Sequence, residues 1–349
     1  MYSIDDPYNK WYVIYPAFIT AVYKLLGNWC MPFVEITGTR DIAFDFRDNQ
    51  ILMFIFIISF IISIYAIRIF CHKIGKGVIS DRYIDVLFLF LICSGPLIYA
   101  IMRGNSIIWD LTLIMIFVIG YKSENKIIKY ISYLALACSI GIKITSVFLA
   151  LLLIKNKEWK GFVLCTLLSA IIFFIPFLYT GGCLLDLLNN ISNHMDTTKG
   201  IGSPVTVSDW THMLNGVLSE NIISILEYSA LGIIFIFSFI AIIFNKKITD
   251  WEQMAILCGL MVVGLGIGIR YYFIFMIIPL IYFLTYEKEI TVKNLLIMVS
   301  FILMFTTFII PAIGSICIFL IMSIIFYESM SKIANNKKSA IHLVFKGTK

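Results

Sequence analysis

The sequence predicts an all-α, polytopic integral membrane protein, a bundle of about ten or eleven helices that includes a short re-entrant hairpin. Of its 349 residues, 60% are apolar and only 14% are charged, against about 45–50% and about 25% in soluble domains. The mean hydropathy of +0.94 indicates more apolar side chains than one aqueous core can bury. The composition therefore excludes a soluble globular protein, and nothing in it points to a nucleic-acid partner.

Ten apolar runs follow one another along the chain, nearly all with the length and low charge of a membrane helix. Helices are expected because an open strand cannot satisfy its backbone hydrogen bonds in lipid. The runs cover residues 51–70, 84–102, 106–121, 130–154, 161–178, 221–244, 253–269, 271–286, 295–313 and 315–327. The chain then divides into an N-terminal segment (1–50), a transmembrane bundle (51–327) with a long loop (179–220), and a basic tail (328–349).

Cationic residues indicate which side of the membrane each connection faces. They gather in the segments 68–82, 122–129, 155–160, 246–247, 288–293 and 332–349. By the positive-inside rule these segments are cytoplasmic. The opposite face then carries the N-terminal segment, Arg103, loop 179–220 and Arg270. We expect a multi-pass protein of the bacterial inner membrane whose site opens to the periplasm.

The run 130–154 is predicted to be a hairpin of two short helices, because basic clusters flank both of its ends. The break is expected at Gly141-Ile142-Lys143, where glycine loosens the helix and a lysine needs a polar cavity or the interface. Each arm would reach only about 17–20 Å, short of the roughly 30 Å hydrocarbon core. The tip of the hairpin is therefore expected below the outer surface.

Residues 16–27 are predicted to form an interfacial or re-entrant helix with an aromatic belt and Pro16 in its first turn. Since the run 51–70 has to cross inward, the chain begins on the outer side, yet no segment before residue 11 could carry it across. We expect a transmembrane helix before Met1 in the natural protein. Translocation of the short N-terminus by the helices behind it is the alternative.

Three cations stand on the outer side, each beside or within an apolar run: Arg103, Lys143 and Arg270. A single cation could snorkel to headgroups, but three together predict an anion site. Phosphate fits, because arginine offers a bidentate fork and lysine a point charge. Asp110 is an intramembrane carboxylate about one helical turn beyond Asn105. Two roles stay open for it, pairing with a cation or catalysis.

Metal chemistry is not predicted. His194 and His212 lie eighteen residues apart in the long loop without a matching carboxylate pattern, which makes a poor zinc site. The eight cysteines form no CxxC pair, and most fall in apolar runs, where cysteine acts as a small apolar residue. We therefore expect neither a metal ion nor another cofactor.

Four short motifs stand in a set order along the chain. They are Asp6-Pro7-Tyr8 followed by Tyr12 to Phe18, Ser94-Gly95-Pro96 with Arg103-Gly104-Asn105, Gly141-Ile142-Lys143-Ile144-Thr145, and Arg270-Tyr271-Tyr272 with Pro279. Their order and spacing resemble those of glycosyltransferase family 87, a mannosyltransferase-like family of the GT-C superfamily. The resemblance implies a GT-C-like bundle and a hexosyltransferase that uses a polyprenyl-phosphate sugar.

The resemblance also implies a division of roles at the site. The sugar would pass from a polyprenyl-phosphate carrier to a hydroxyl of a surface glycan or lipid-linked acceptor on the periplasmic face. Arg103, Lys143 and Arg270 would bind the donor phosphate and stabilise it as it leaves, and loop 179–220 would help to bind the acceptor. The side chains expected to line the site are Tyr15, Asn105, Tyr271 and Tyr272.

The catalytic base implied by the resemblance is an aspartate upstream of the Asp6-Pro7-Tyr8 motif. Because the sequence begins at that motif, Asp5 and Asp6 are the acids nearest to the expected position. Asp110 is the next candidate. A chain that lacks the upstream helix and its aspartate is expected to be inactive.

Two other functions fit a protein with many helices. An O-antigen or capsule polymerase or ligase should carry arginines in its periplasmic loops, and loop 179–220 contains none. A lipid or polysaccharide transporter without catalysis commonly shows duplicated halves, and the sequence contains no internal repeat. Both functions rank below a glycosyltransferase.

Overall fold

The computed structural model describes residues 15–30, 50–198, 205–264, 270–306 and 310–346, with side chains except at 30, 52, 194–198 and 335–346. Within these ranges the regular secondary structure is helical, and the one β pairing is an isolated bridge between Asn215 and Leu218. The chain forms two compact units. The first comprises the described parts of Met1–Lys73, Leu97–Leu153 and Glu158–Thr198, and the second those of Ile74–Pro96, Ile154–Lys157 and Lys199–Lys349.

Sixteen α-helices are described. In chain order they are α1 (Ala17–Cys30), α2 (Gln50–Gly75), α3 (Asp81–Ile92), α4 (Gly95–Met102), α5 (Ile107–Gly120), α6 (Lys126–Ile142), α7 (Leu151–Lys155), α8 (Trp159–Phe174), α9 (Phe177–Thr180), α10 (Leu184–Thr198), α11 (Val207–His212), α12 (Glu220–Phe244), α13 (Asp250–Val263), α14 (Ile277–Tyr286), α15 (Val292–Thr306) and α16 (Pro311–Lys346). Two 3₁₀ helices, Ile144–Ala150 and Arg270–Met276, precede α7 and α14.

Within the ranges given above, four helical segments are long and apolar enough to cross a membrane: Met53–Gly75, Trp159–Thr180, Glu220–Phe244 and Pro311–Ala334. A fifth arises if α3 and α4, which are bent by 51° at their junction, form one broken span. Shorter apolar helices occupy other predicted runs: Ile107–Gly120, Ile144–Lys155, Arg270–Tyr286 and Val292–Thr306. These segments confirm the predicted all-α, polytopic membrane protein.

The junction of α3 and α4 corrects the prediction of one continuous run over 84–102. The helix stops at Ile92 and restarts at Gly95. Pro96 has no backbone N–H and its ring clashes with a preceding helical turn, whereas it is tolerated in the first turn of a new helix. The sequence Ser94-Gly95-Pro96 therefore interrupts the helix rather than continuing it.

The return of the chain predicted for the run 130–154 is confirmed by contacts at its open end, whereas the first arm, α6, has 17 residues and at about 25 Å is longer than predicted. Lys129 lies near the start of α6 and Glu158 follows α7, yet the Lys129 Nζ is 2.7 Å from the Glu158 Oε1. Gly161 approaches the ring of Tyr133 so closely that a Cβ on Gly161 would lie 2.4 Å from Tyr133 Cζ. The chain therefore returns to its starting point between residues 129 and 158.

Gly141 has a different role from the one expected. It lies inside α6, which continues to Ile142, so it does not open the helix. A Cβ on Gly141 would lie 2.7 Å from Ile172 Cγ2 and 3.0 Å from Phe18 Cδ1. The glycine lets α6 pack closely against α8 and α1, and the helix ends one residue later, before Lys143.

In the second unit, α13 is the central helix and is buried from Trp251 to Val263, as expected for a helix that is apolar on all sides. Its N-terminus has a capping box, in which Thr249 and Glu252 satisfy each other's backbone N–H groups. Lys332, at the start of the predicted basic tail, donates to Glu252 Oε1 over 3.2 Å. The first part of that tail is therefore packed against α13 as part of the continuous helix α16.

Candidate functional site in the first unit

Lys143 occupies the break of the hairpin. It ends α6 in an extended conformation, with φ −139° and ψ 115°, and the 3₁₀ helix Ile144–Ala150 follows directly. The side chain is half-buried, and its Nζ lies 4.9 Å from the centre of the Tyr15 ring. This geometry is that of a cation–π contact, which is stronger where water is partly excluded.

Asp110 contacts residues on both sides of this break. It belongs to the first turn of α5 and is fully buried. Ser139, from α6, donates to Asp110 Oδ1, and Ser146, from the 3₁₀ helix, donates over 3.3 Å to both carboxylate oxygens. Lys143 is close enough to interact with Asp110 electrostatically. One carboxylate thus contacts both arms of the hairpin.

The turn between α4 and α5 carries Arg103 and Asn105. Gly104, with φ +58°, supplies the left-handed conformation that this turn needs. The Asn105 Oδ1 accepts the backbone N–H of Ile107 over 3.0 Å, so Asn105 satisfies a donor at the start of α5. The exposed Arg103 donates from Nε and Nη2 to the Tyr99 hydroxyl, over 3.2 Å and 3.0 Å.

Trp109, the residue before Asp110, belongs to an aromatic cluster that was not predicted from the sequence. Trp109 stacks on Phe56, with ring centres 5.6 Å apart and planes 9° from parallel. Tyr23 lies 6.2 Å from the Trp109 ring, and the indole Nε1 of Trp109 donates to Ser59 over 3.0 Å. The cluster joins α1 and α2 to the first turn of α5, which carries Asp110.

The late motif lies in the second unit. Arg270 is exposed and opens the 3₁₀ helix Arg270–Met276. Tyr271 is buried and stacks on Tyr272, with ring centres 5.3 Å apart and planes 20° from parallel. Tyr272 in turn meets Phe275 edge to face over 6.2 Å. Arg270 is therefore the first residue of a short helix that is rich in aromatic side chains.

Of the residues expected at the site, the structure brings Tyr15, Lys143 and Asp110 into one cluster. Asn105 and Arg103 lie on the turn that leads into α5, within the same unit. Convergence of Arg103, Lys143 and Arg270 on one phosphate stays a prediction. The expected lining by Tyr271 and Tyr272 is also untested, and Asp5 and Asp6 lie outside the described residues.

Ser139 and Ser146 were missed by the sequence analysis. A serine within an apolar helix often bonds to its own backbone, as Ser132 does to the carbonyl of Lys129 over 2.7 Å. The available signal was their position, four residues before and three residues after Lys143. That spacing becomes informative once a helix break is placed at Lys143.

The long loop forms helices on both sides of residues 199–204. Asp209 and Thr206 make a capping box at the start of α11, and Asp186 Oδ2 accepts the backbone N–H of Cys183 over 2.7 Å. His212 Nε2 lies 3.4 Å from Glu227 Oε2 of α12. Within the ranges that the structure describes, no group of three or more His, Cys, Asp or Glu residues could hold a metal ion.

The model of glycosyltransferase family 87 matches residues 46–307 of this chain, which is about three quarters of its 349 residues. The match includes Asp110, Lys143 and the Arg270 segment, whereas Tyr15 lies before its first residue. No curated protein and no solved structure matches the sequence.

Proposed function

The chain belongs to glycosyltransferase family 87 and is a membrane glycosyltransferase; we propose that its donor is a hexose carried on polyprenyl phosphate. In this proposal the sugar passes to a hydroxyl of a surface glycan or lipid-linked acceptor. The reaction takes place at the periplasmic face of the inner membrane, as the distribution of Lys and Arg predicts.

The observation that carries the proposal is the position of Lys143. Its ammonium group is half-buried at a helix break, against the Tyr15 ring and near a buried carboxylate. A fixed cation in a poorly hydrated place stabilises charge that develops on a leaving phosphate better than a cation in bulk water does. We assign Lys143 to the donor phosphate on this ground.

Arg103 and Arg270 complete the proposed phosphate site. Both are exposed arginines at the ends of short helical segments, and the planar guanidinium can bind two phosphate oxygens at once. The aromatic rings of Tyr15, Tyr271 and Tyr272 would then line the path of the sugar. Loop 179–220 is proposed to contact the acceptor.

The general base is proposed among the acids of the N-terminal segment, Asp5 and Asp6. A base has to come within hydrogen-bond reach of the acceptor hydroxyl. Asp110 is fully buried, and its oxygens already accept from two serines, which argues against direct contact with an acceptor. For Asp110 we therefore favour the role of partner to a cation.

The test is turnover of a defined donor. Purified protein in lipid nanodiscs is given radiolabelled undecaprenyl-phosphate mannose together with a cell-envelope glycan fraction, and transfer of label to glycan is measured. We expect transfer from this donor, none from a nucleotide sugar, and a loss of about 100-fold in kcat/KM for Lys143→Ala.

Lys24→Ala is the matched control. Lys24 lies 4.9 Å from the centre of the Tyr179 ring, the same cation–π distance as Lys143 to Tyr15, but it belongs to α1 and not to the hairpin break. We expect it to retain nearly full activity. Equal rates for wild type and Lys143→Ala would remove Lys143 from the mechanism, and use of a diphosphate-linked glycan alone would favour the polymerase or ligase.

A further inference from the structure

We propose that Asp110, Ser139 and Ser146 form a positioning brace that fixes Lys143 at the hairpin break for binding the donor phosphate. The Asp110 brace, as we call these three residues, rests on the proposed function of Lys143. None of the three touches the substrate in this proposal. Their effect on the reaction passes through the Lys143 ammonium.

The geometry of the break supports this role. Both backbone polar groups of Lys143 are bonded to the two serines: its N–H donates to the Ser139 carbonyl over 2.8 Å, and its carbonyl accepts from the Ser146 N–H over 3.1 Å. The same two serines donate through their hydroxyls to Asp110. Each serine therefore links the lysine backbone on one side to the carboxylate on the other.

The cost of burial is a second argument. A carboxylate among apolar helices is unfavourable unless it is hydrogen-bonded and near a positive charge. Asp110 is the carboxylate of α5, it is fully buried, and the partners described for its side chain, Ser139, Ser146 and the nearby Lys143, lie within the eight residues 139–146. The buried carboxylate consequently restricts the arrangement of this short segment.

Two described interactions act on the Lys143 ammonium. The Asp110 charge attracts Lys143, and the Tyr15 ring provides a second surface at 4.9 Å. A long lysine side chain otherwise loses considerable rotamer entropy when it is ordered by a ligand. A side chain that is ordered before the phosphate arrives avoids that cost, so the brace would raise the apparent affinity for the donor.

The test is a double-mutant cycle between the brace and the lysine. Ser146→Ala and Asp110→Asn are each measured in the wild-type and the Lys143→Ala backgrounds, with kcat/KM for undecaprenyl-phosphate mannose as the readout. The Kd for undecaprenyl phosphate is measured for the same variants, so that all four members of the cycle can be compared even where turnover is slow. Ser132→Ala is the matched control, because Ser132 is a buried serine of α6 that bonds only within the helix.

We expect Ser146→Ala to lower kcat/KM about tenfold in the wild-type background and to have no further effect once Lys143 is alanine. Ser146→Thr, which keeps the hydroxyl, should restore most of the activity. Ser132→Ala should behave like wild type in both backgrounds. Asp110→Asn should follow Ser146→Ala, and Ser146→Ala alone decides the result if the asparagine variant does not fold.

If Ser146→Ala lowers kcat/KM by the same factor in the wild-type and the Lys143→Ala backgrounds, the Asp110 brace is overturned. The serine would then act independently of Lys143, through the structure or as a separate catalytic group. Wild-type behaviour of Ser146→Ala and Asp110→Asn would overturn it as well. These outcomes differ from failure of the proposed function, in which Lys143→Ala itself transfers sugar and binds undecaprenyl phosphate as wild type does. An Asp110→Asn variant that also loses the acidic limb of the pH–rate profile would identify Asp110 as the base instead.

Discussion

Two 3₁₀ helices of seven residues, Ile144–Ala150 and Arg270–Met276, invite comparison because each begins at a cation and leads into an α-helix. Such long 3₁₀ segments are uncommon, since their hydrogen bonds are poorer than those of an α-helix. Lys143 precedes the first and Arg270 opens the second. Two of the three cations predicted from the sequence thus lie at the same kind of backbone irregularity.

The contacts described around the two segments differ in kind. Around Lys143 the contacts are polar: a buried carboxylate, two serine hydroxyls and a cation–π contact. After Arg270 the described contacts include aromatic packing: Tyr271 and Tyr272 stack on each other, and Phe273 packs closely against Gly314 of α16. Directional hydrogen bonds to a buried carboxylate are thus described beside the lysine, and close aromatic packing is described beside the arginine.

The largest expected difference between the two segments is in catalysis. We expect Lys143→Ala to reduce sugar transfer about 100-fold and Arg270→Ala about tenfold, because a half-buried charge acts through a lower dielectric than an exposed one. The measurement is kcat/KM for undecaprenyl-phosphate mannose with each variant. A larger loss for Arg270→Ala would reverse the comparison and make the second unit the main phosphate-binding element.

Asp110→Ala should destabilise the protein. The substitution leaves the hydroxyls of Ser139 and Ser146 without their buried acceptor, and hydrogen bonds to a charged group contribute about 1.5–3 kcal/mol each. The free energy of unfolding, from denaturant titration in detergent, should therefore fall by about 3–6 kcal/mol for the two bonds together. Ser132→Ala serves as reference, and an unchanged free energy of unfolding for Asp110→Ala would contradict the polar account of the first segment.

Gly141 and Gly314, which allow close packing near the two segments, offer a test of that packing. A Cβ at Gly314 would lie 2.6 Å from Phe273 Cζ, and one at Gly141 would lie 2.7 Å from Ile172 Cγ2. Alanine at either position should lower the free energy of unfolding by about 1–3 kcal/mol through overpacking. If close packing contributes more to the second segment than to the first, Gly314→Ala should lower the free energy of unfolding more than Gly141→Ala does.

Gly232→Ala is the control for these two variants. Gly232 lies in the middle of α12, and apart from the helix's own neighbouring backbone no atom lies within 4 Å of the position that an alanine methyl would occupy there. Alanine at this position should therefore be neutral or stabilise the helix by up to about 1 kcal/mol. Helix propensity favours alanine over glycine, so a loss of stability at Gly232 comparable to that at Gly141 would contradict the assignment of the Gly141 effect to close packing.

The smallest expected effect is at the open end of the hairpin. The hydrogen bond from Lys129 to Glu158 raises the pKa of Lys129, so its stabilisation is complete below the usual lysine value of about 10.4 and is lost as the pH rises through the folded-state pKa. Because both side chains are partly exposed, Glu158→Gln should cost about 0.2–1 kcal/mol. Chemical denaturation at neutral pH, compared at low and high salt, measures it.

Charge placement allowed the hairpin to be predicted from the sequence. Basic residues on both sides of 130–154 required both ends to lie on one side, and the Lys129–Glu158 contact bears this out. The break at Lys143 was also predicted. The function of Gly141 was not, because a glycine that loosens a helix and one that admits a neighbouring side chain look the same in a single sequence.

The residues around Lys143 were only partly predictable. Lys143 and Asp110 stand out because charges are rare in apolar runs, and Tyr15 belonged to a motif. Ser139, Ser146 and Trp109 are ordinary residues of membrane helices, and their roles depend on contacts between segments distant in the chain. Those contacts are set by tertiary packing, which no local pattern of apolar residues encodes.

The return of the chain from Lys129 to Glu158 fixes the parity of the transmembrane topology. A segment that begins and ends on the same side of the membrane adds an even number of crossings. Every later helix therefore keeps the in–out orientation that it would have without the hairpin. Reporter domains fused after residues 124 and 157 should consequently be found in the same compartment. Insertion of the two arms into the bilayer is then expected to be a single concerted event, since neither arm alone reaches the far side.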